Sequence, residues 1–148
     1  MNDAEFRAEL RSAKMTARPD EKTTIRRVEF ALCREFTVEA AEWLGPVAVN
    51  QRDLMVNGDV DKFSADIAAY HAKALLQGTG GNAEFQADGI SATATTKAGK
   101  GEDDEPTYWL TLTFEAFPDA KLLSFPSADL KEYIDCDFKR LQLTTEAA

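Results

Sequence analysis

Four consecutive carboxylates, Glu102, Asp103, Asp104 and Glu105, make the densest group of ionisable side chains in the sequence. Like charges this close repel one another, so the run favours an exposed loop. The chemistry open to it is electrostatic: a handle for a basic partner, a cation-binding loop, or imitation of nucleic-acid phosphates. A solubilising hairpin tip explains the same letters. Further acids at Asp129, Glu132, Asp135 and Asp137 extend the negative character. The first three fall on one side of a helix expected over 128–135, opposite Leu130, Tyr133 and Ile134, and a solvated helix face accounts for them equally.

His71 is the sole histidine, and neither a second histidine nor a cysteine pair accompanies it to complete a zinc site. A lone imidazole serves as a general base only if a nucleophile meets it in space. No nucleophile-elbow motif supplies one. The stretch VNGDVDKFSAD (56–66) resembles an EF-type calcium loop, but registering Asn57 and Asp59 as ligands puts Met55 first and Val60 where glycine belongs. A helix stop at Asn57-Gly58 and a helix cap at Asp61 account for these residues. The glycines of GTGGN (78–82) follow an expected helix rather than precede one, and Lys97–Gly101 lacks the spacing of a phosphate loop. No catalytic residue, metal site or cofactor is assigned.

Cys33 and Cys136 form neither a disulfide framework nor a C-x-x-C pair. Both fall in segments with strand patterning, where a buried free thiol behaves as a small hydrophobe; a bridge between the first and last strands is the alternative. The opening MNDAEFRAELRSAK lacks the apolar core of a secretory signal, no stretch approaches the roughly 20 apolar residues of a membrane helix, and a reducing cytoplasm is the expected compartment.

The elements that must carry these residues follow from periodicity. Phe6, Leu10 and Ala13, spaced four then three, predict an N-terminal helix over 3–16, which the polar stretch around Pro19 detaches from the rest. Residues 24–36 alternate Val28, Phe30 and Leu32 with Glu29 and Cys33, a half-buried strand; Arg34 interrupts the series, which places it near an edge. Thr37 caps a short helix, VEAAEWL, that Gly45 and Pro46 stop, and Asn50 caps a further turn. Phe63, Ile67, Tyr70 and Ala74 predict the longest helix, over 62–77, ended by Gly78. Strands follow at 83–87, 90–97 and 107–117, then a short KLLSF strand, a helix over 128–135 and a last strand over 136–143.

The expected fold is α+β: an antiparallel sheet of about five to six strands, amphipathic helices on one face, and an N-terminal helix. The 148 residues read as one domain, with 1–23 loosely attached and 24–144 as the core. Charge divides the same way. Residues 1–27 hold seven Lys/Arg and five Asp/Glu, +2, and the remainder carries −11, giving −9 overall. That balance argues against direct nucleic-acid binding.

In the last strong strand, Trp109, Thr111 and Thr113 alternate with the core positions Leu110, Leu112 and Phe114. Trp109 is therefore either buried under a loop or an interface anchor. Together with Glu102, Asp103, Asp104 and Glu105 these residues form the candidate partner-binding set. The expected function is non-catalytic binding of a basic or nucleic-acid-binding protein, as in a small phage-type inhibitor of a nucleic-acid-handling complex. An assembly subunit that forms homo-oligomers, and a small enzyme or ligand carrier with a sheet–helix pocket, are the alternatives.

Overall fold

A computed structural model describes residues 3–19, 24–99, 101, 105–117 and 130–141. They form six strands and two helices in the order β1 (Ala4–Pro19), β2 (Thr24–Glu35), α1 (Val38–Leu44), α2 (Pro46–Val56), β3 (Lys62–Gly78), β4 (Gly81–Lys97), β5 (Thr107–Ala116) and β6 (Tyr133–Arg140). The strands close into a barrel, β1-β2-β5-β4-β3-β6, and β6 pairs back onto β1. Every ladder is antiparallel.

This architecture overturns the α+β expectation. The N-terminal helix is strand β1, the long helix over 62–77 is strand β3, and the segment expected as a helix ending at 135 turns at Lys131 and is already strand β6 from Tyr133. The polar arm of 1–23 is a stave of the barrel as far as Pro19, not a loose attachment. Residues 83–87 and 90–97 form one strand rather than two. The KLLSF segment lies outside the described residues.

A shared physical cause underlies the first two corrections. β1 breaks register between Leu10 and Ser12, and β3 between Ile67 and His71. A bulge adds residues to one strand and shifts the parity of everything beyond it. Inward positions in β1 run Phe6, Ala8, Leu10 and then Ala13. In β3 they run Phe63, Ala65, Ile67 and then Tyr70, Ala72, Ala74, Leu76. Intervals of two interrupted by an interval of three yield spacings of four and three, which are also the intervals of a helix face.

The interior is filled by complementary sizes, as small barrels require. β2, β5 and β6 supply Phe30, Leu32, Leu110, Leu112, Phe114 and Phe138, all 2% exposed or less. The facing walls are small: Ala92 pairs Leu112, Ala94 pairs Leu110, and Ala74 lies between Phe85 and Phe138. Phe30, Phe85 and Phe114 stack on one another at 5.1 to 6.0 Å, and Phe138 meets Phe114 edge-on at 5.4 Å. Alanine's helix propensity is overridden here, because only a methyl fits opposite these rings.

The helices pack across the end where β2 stops and β3 starts. Thr37 caps α1, its Oγ1 accepting from the Ala40 N–H at 3.2 Å, and Gly45 ends it at φ 121°. Pro46 then opens α2, whose first-turn N–H groups need no intrahelical partner, and α2 runs through Asn50 to Val56 without a separate turn. Trp43 of α1 lies 6.1 Å from Phe6, 6.4 Å from Phe138 and edge-on to Tyr70 at 5.8 Å, which ties the cap to β1, β6 and β3. Arg34 pairs with inward-facing Leu110 and has no sheet edge beside it. Its guanidinium lies over the Phe6 ring at 5.1 Å, and burial lowers its pKa.

Candidate functional site

The outer surface of β3, β4, β5 and β2 is a continuous wall whose rows follow from the register. One row is Lys62, Thr95, Trp109 and Glu35; the next is Ser64, Thr93, Thr111 and Cys33; then come Asp66, Ser91, Thr113 and Ala31. On β4 and β5 the outward positions from Ser91 to Thr95 and from Trp109 to Thr113 carry no charge, only hydroxyls and one indole.

Trp109, Thr111 and Thr113 are thus brought onto one face, each half-buried, with exposed Thr93 and Thr95 beside them. The Trp109 indole N–H donates to Thr107 Oγ1 at 3.0 Å, which fixes the ring at the end of the wall. Lys97 and Thr107 are the last pair of the β4–β5 ladder, and the acid run lies in the sequence between them. Glu105 is exposed; Glu102, Asp103 and Asp104 lie outside the described residues.

One row further along, the wall breaks. β4 shifts register between Asp88 and Ile90, where Gly89 takes a left-handed φ of 69°, a conformation that costs a side-chain-bearing residue. The β3 shift lies beside it. The two bulges open a cavity of about 310 Å³ lined by Arg27, Glu29, Asp66, Asp88, Ser91 and Glu115 at its rim, with Ile67, Ile90 and Phe114 beneath.

Polar contacts hold that rim. His71 Nδ1 donates to Asp88 Oδ1 at 2.7 Å, and Gln86 Nε2 donates to the same oxygen at 2.8 Å. Arg27 lies 3.7 Å from Asp88 and 3.9 Å from Glu115, and its guanidinium covers the Phe117 ring at 4.4 Å. Ser91 donates to Asp66 at 2.7 Å. Burial alone would raise the Asp88 carboxyl, but the hydrogen bonds from Gln86 and His71 and the charges of His71 and Arg27 outweigh it and hold it below the usual range.

Reasoning from sequence did not find this cluster. Arg27 and Glu29 look like the wet side of an ordinary strand, and His71 looks like part of a helix. The signal was Asp88-Gly89, a turn-type dipeptide between two strand-patterned segments, which marks a bulge as well as a turn. His71 is oriented by Asp88 in the manner of a general base, but no structural contact brings a nucleophile to it. The sequence 56–66 passes from the end of α2 into β3, and Asp61 caps no helix; its carbonyl accepts from Thr96 N at 3.1 Å. Among the described residues no group of three or more His, Cys, Asp or Glu side chains is placed to hold a metal.

Both cysteines are buried and free, Cys33 on β2 and Cys136 on β6. Burial pushes the Cys136 thiol up to about 12. No described helix is long and apolar enough to cross a membrane. The chain matches no protein-family model, no curated protein and no solved structure.

Proposed function

We propose that this protein is a non-catalytic binding protein that engages a basic protein partner through the outer wall of β4 and β5, centred on Trp109. The observation that carries this reading is an indole held outward among hydroxyls on a barrel whose interior is occupied by its own aromatic and aliphatic side chains. A filled barrel leaves recognition to the exterior, and a Trp pinned by its own hydrogen bond loses little freedom on binding. A net charge of −9 favours fast, salt-sensitive association with a cationic surface. A small inhibitor of a nucleic-acid-handling complex, of the kind phages deploy, is the finer form of this reading; the acidic exterior supports it.

The test is affinity capture from the native host with wild-type protein, Trp109→Ala, and a variant in which Glu102 to Glu105 are serine. The wild type should retain one basic partner and release it as salt rises. Trp109→Ala should lose it at all salt concentrations, while the serine variant should show a flatter salt dependence. Undiminished capture by Trp109→Ala would remove the wall from the account.

A further inference from the structure

The cavity at the paired bulges is chemically unlike the hydroxyl wall beside it. Four carboxylates line it, Glu29, Asp66, Asp88 and Glu115, against one lining cation, Arg27. Arg27 is committed to Asp88 and Glu115. Glu29 engages no ion pair among the described residues, and Asp66 receives only the neutral Ser91 hydroxyl. Beneath the rim the lining is apolar, and it reaches two core side chains, Ile90 and Phe114, each 2% exposed.

Depth, floor and rim together select a ligand. A purely acidic surface would attract any cation, but a small hydrated ion gains nothing from Ile67, Ile90 and Phe114. An organic cation on an aliphatic stem uses both parts, laying its methylenes on the floor and its charged head among the carboxylates. The bulges make this possible: without the extra residues in β3 and β4, adjacent staves would pair side by side and cover the floor. We infer that this cavity binds an alkyl-ammonium or alkyl-guanidinium group. The site is separate from Trp109, three residues along β5 from its nearest common neighbours, and does not depend on the partner proposed above.

The experiment is a titration of the full-length ¹⁵N-labelled protein with N-acetyl-arginine amide, followed by amide shifts. Its neutral counterpart, N-acetyl-citrulline amide, has the same shape, and guanidinium ion alone lacks the stem. Saturable shifts should cluster at Gly89, Ser91 and Thr113. The citrulline compound and the bare ion should each bind about tenfold more weakly, and Glu29→Gln should weaken the arginine compound about fivefold, as expected for a partly exposed charge contact. Trp109→Ala should leave the titration unchanged, so loss of the wall reading does not touch this one. Binding of 1,4-diaminobutane tighter than the arginine compound assigns the ligand to a free amine; the reverse order assigns it to a basic side chain of a protein. Equal binding of arginine and citrulline compounds, shifts centred elsewhere, or no saturation would overturn the inference.

Discussion

β2 and β5 keep one register with each other from Val28↔Ala116 to Glu35↔Trp109, while β1, β3 and β4 each lose register once. The unbroken pair carries the large interior side chains and the uncharged outer hydroxyls of β5. The broken staves carry alanines inside and, where two breaks coincide, the charged cavity. Regular pairing gives the barrel a stiff, featureless wall; irregular pairing lets the ring close and re-aims Asp66, His71 and Asp88 around an opening. Candidate chemistry in this molecule thus lies where the ladder is least regular.

Removing a bulge should be the most damaging change. Deleting Gly89 reverses the parity of β4 beyond it and turns Ile90, Ala92 and Ala94 outward, so urea unfolding should lose its cooperative transition. Deleting Gly99, exposed in the β4–β5 connection, should leave the midpoint near wild type. Equal tolerance of both deletions would mean that the β4 register is not fixed.

The next contrast is between large and small interior positions. Phe114→Ala, which empties the centre of the stacked rings, should cost about 3–5 kcal/mol in urea melts. Ala74→Leu should also destabilise, by about 1–3 kcal/mol, because Phe85 and Phe138 flank a fully buried methyl. A stabilising Ala74→Leu would show that the β3 side of the barrel is not packed.

These contrasts also explain what sequence patterning could convey. Period two survives intact in β2 and β5, so Val28, Phe30, Leu32, Leu110, Leu112 and Phe114 were legible as inward, and Trp109, Thr111 and Thr113 as outward. Thr37 and Gly45 were legible as the ends of α1 because capping is local chemistry. β1 and β3 were not, because one bulge in each makes alternation resemble helical spacing, and the alanines of β3 reinforced that resemblance. Nothing local distinguishes the two readings. The decision comes from β6, more than 50 residues along the chain from β3, whose pairing with both β1 and β3 closes the ring. The charged cavity was hidden for the same reason, since its rim is assembled from four staves.

Ionisation gives a smaller test on the irregular side. The Asp88 carboxyl is held below its ordinary range in the folded state, so its stabilisation is present above the unfolded pKa of about 3.9 and is lost as pH falls through the lower folded value. Asp88→Asn should therefore reduce stability at neutral pH and flatten the acid limb of a pH–stability curve. At the other extreme, burial raises Tyr70 to about 12, so stability should fall as pH climbs from about 10, where the unfolded phenol ionises, towards 12. Tyr70→Phe should remove that alkaline loss. The smallest expected effect is at the exposed end of β3, where Gln77→Thr should be neutral to slightly stabilising, within about 0.5 kcal/mol, in a strand and unfavourable in a helix.

The most direct measurement is backbone NMR across residues 62–77, combining ¹³C secondary shifts with contacts to β6. The barrel predicts extended shifts interrupted near 68–70 and close cross-strand contacts between Ala74 and Phe138. Continuous helical shifts over that segment, with no contact to β6, would contradict ring closure and with it the cavity and the wall.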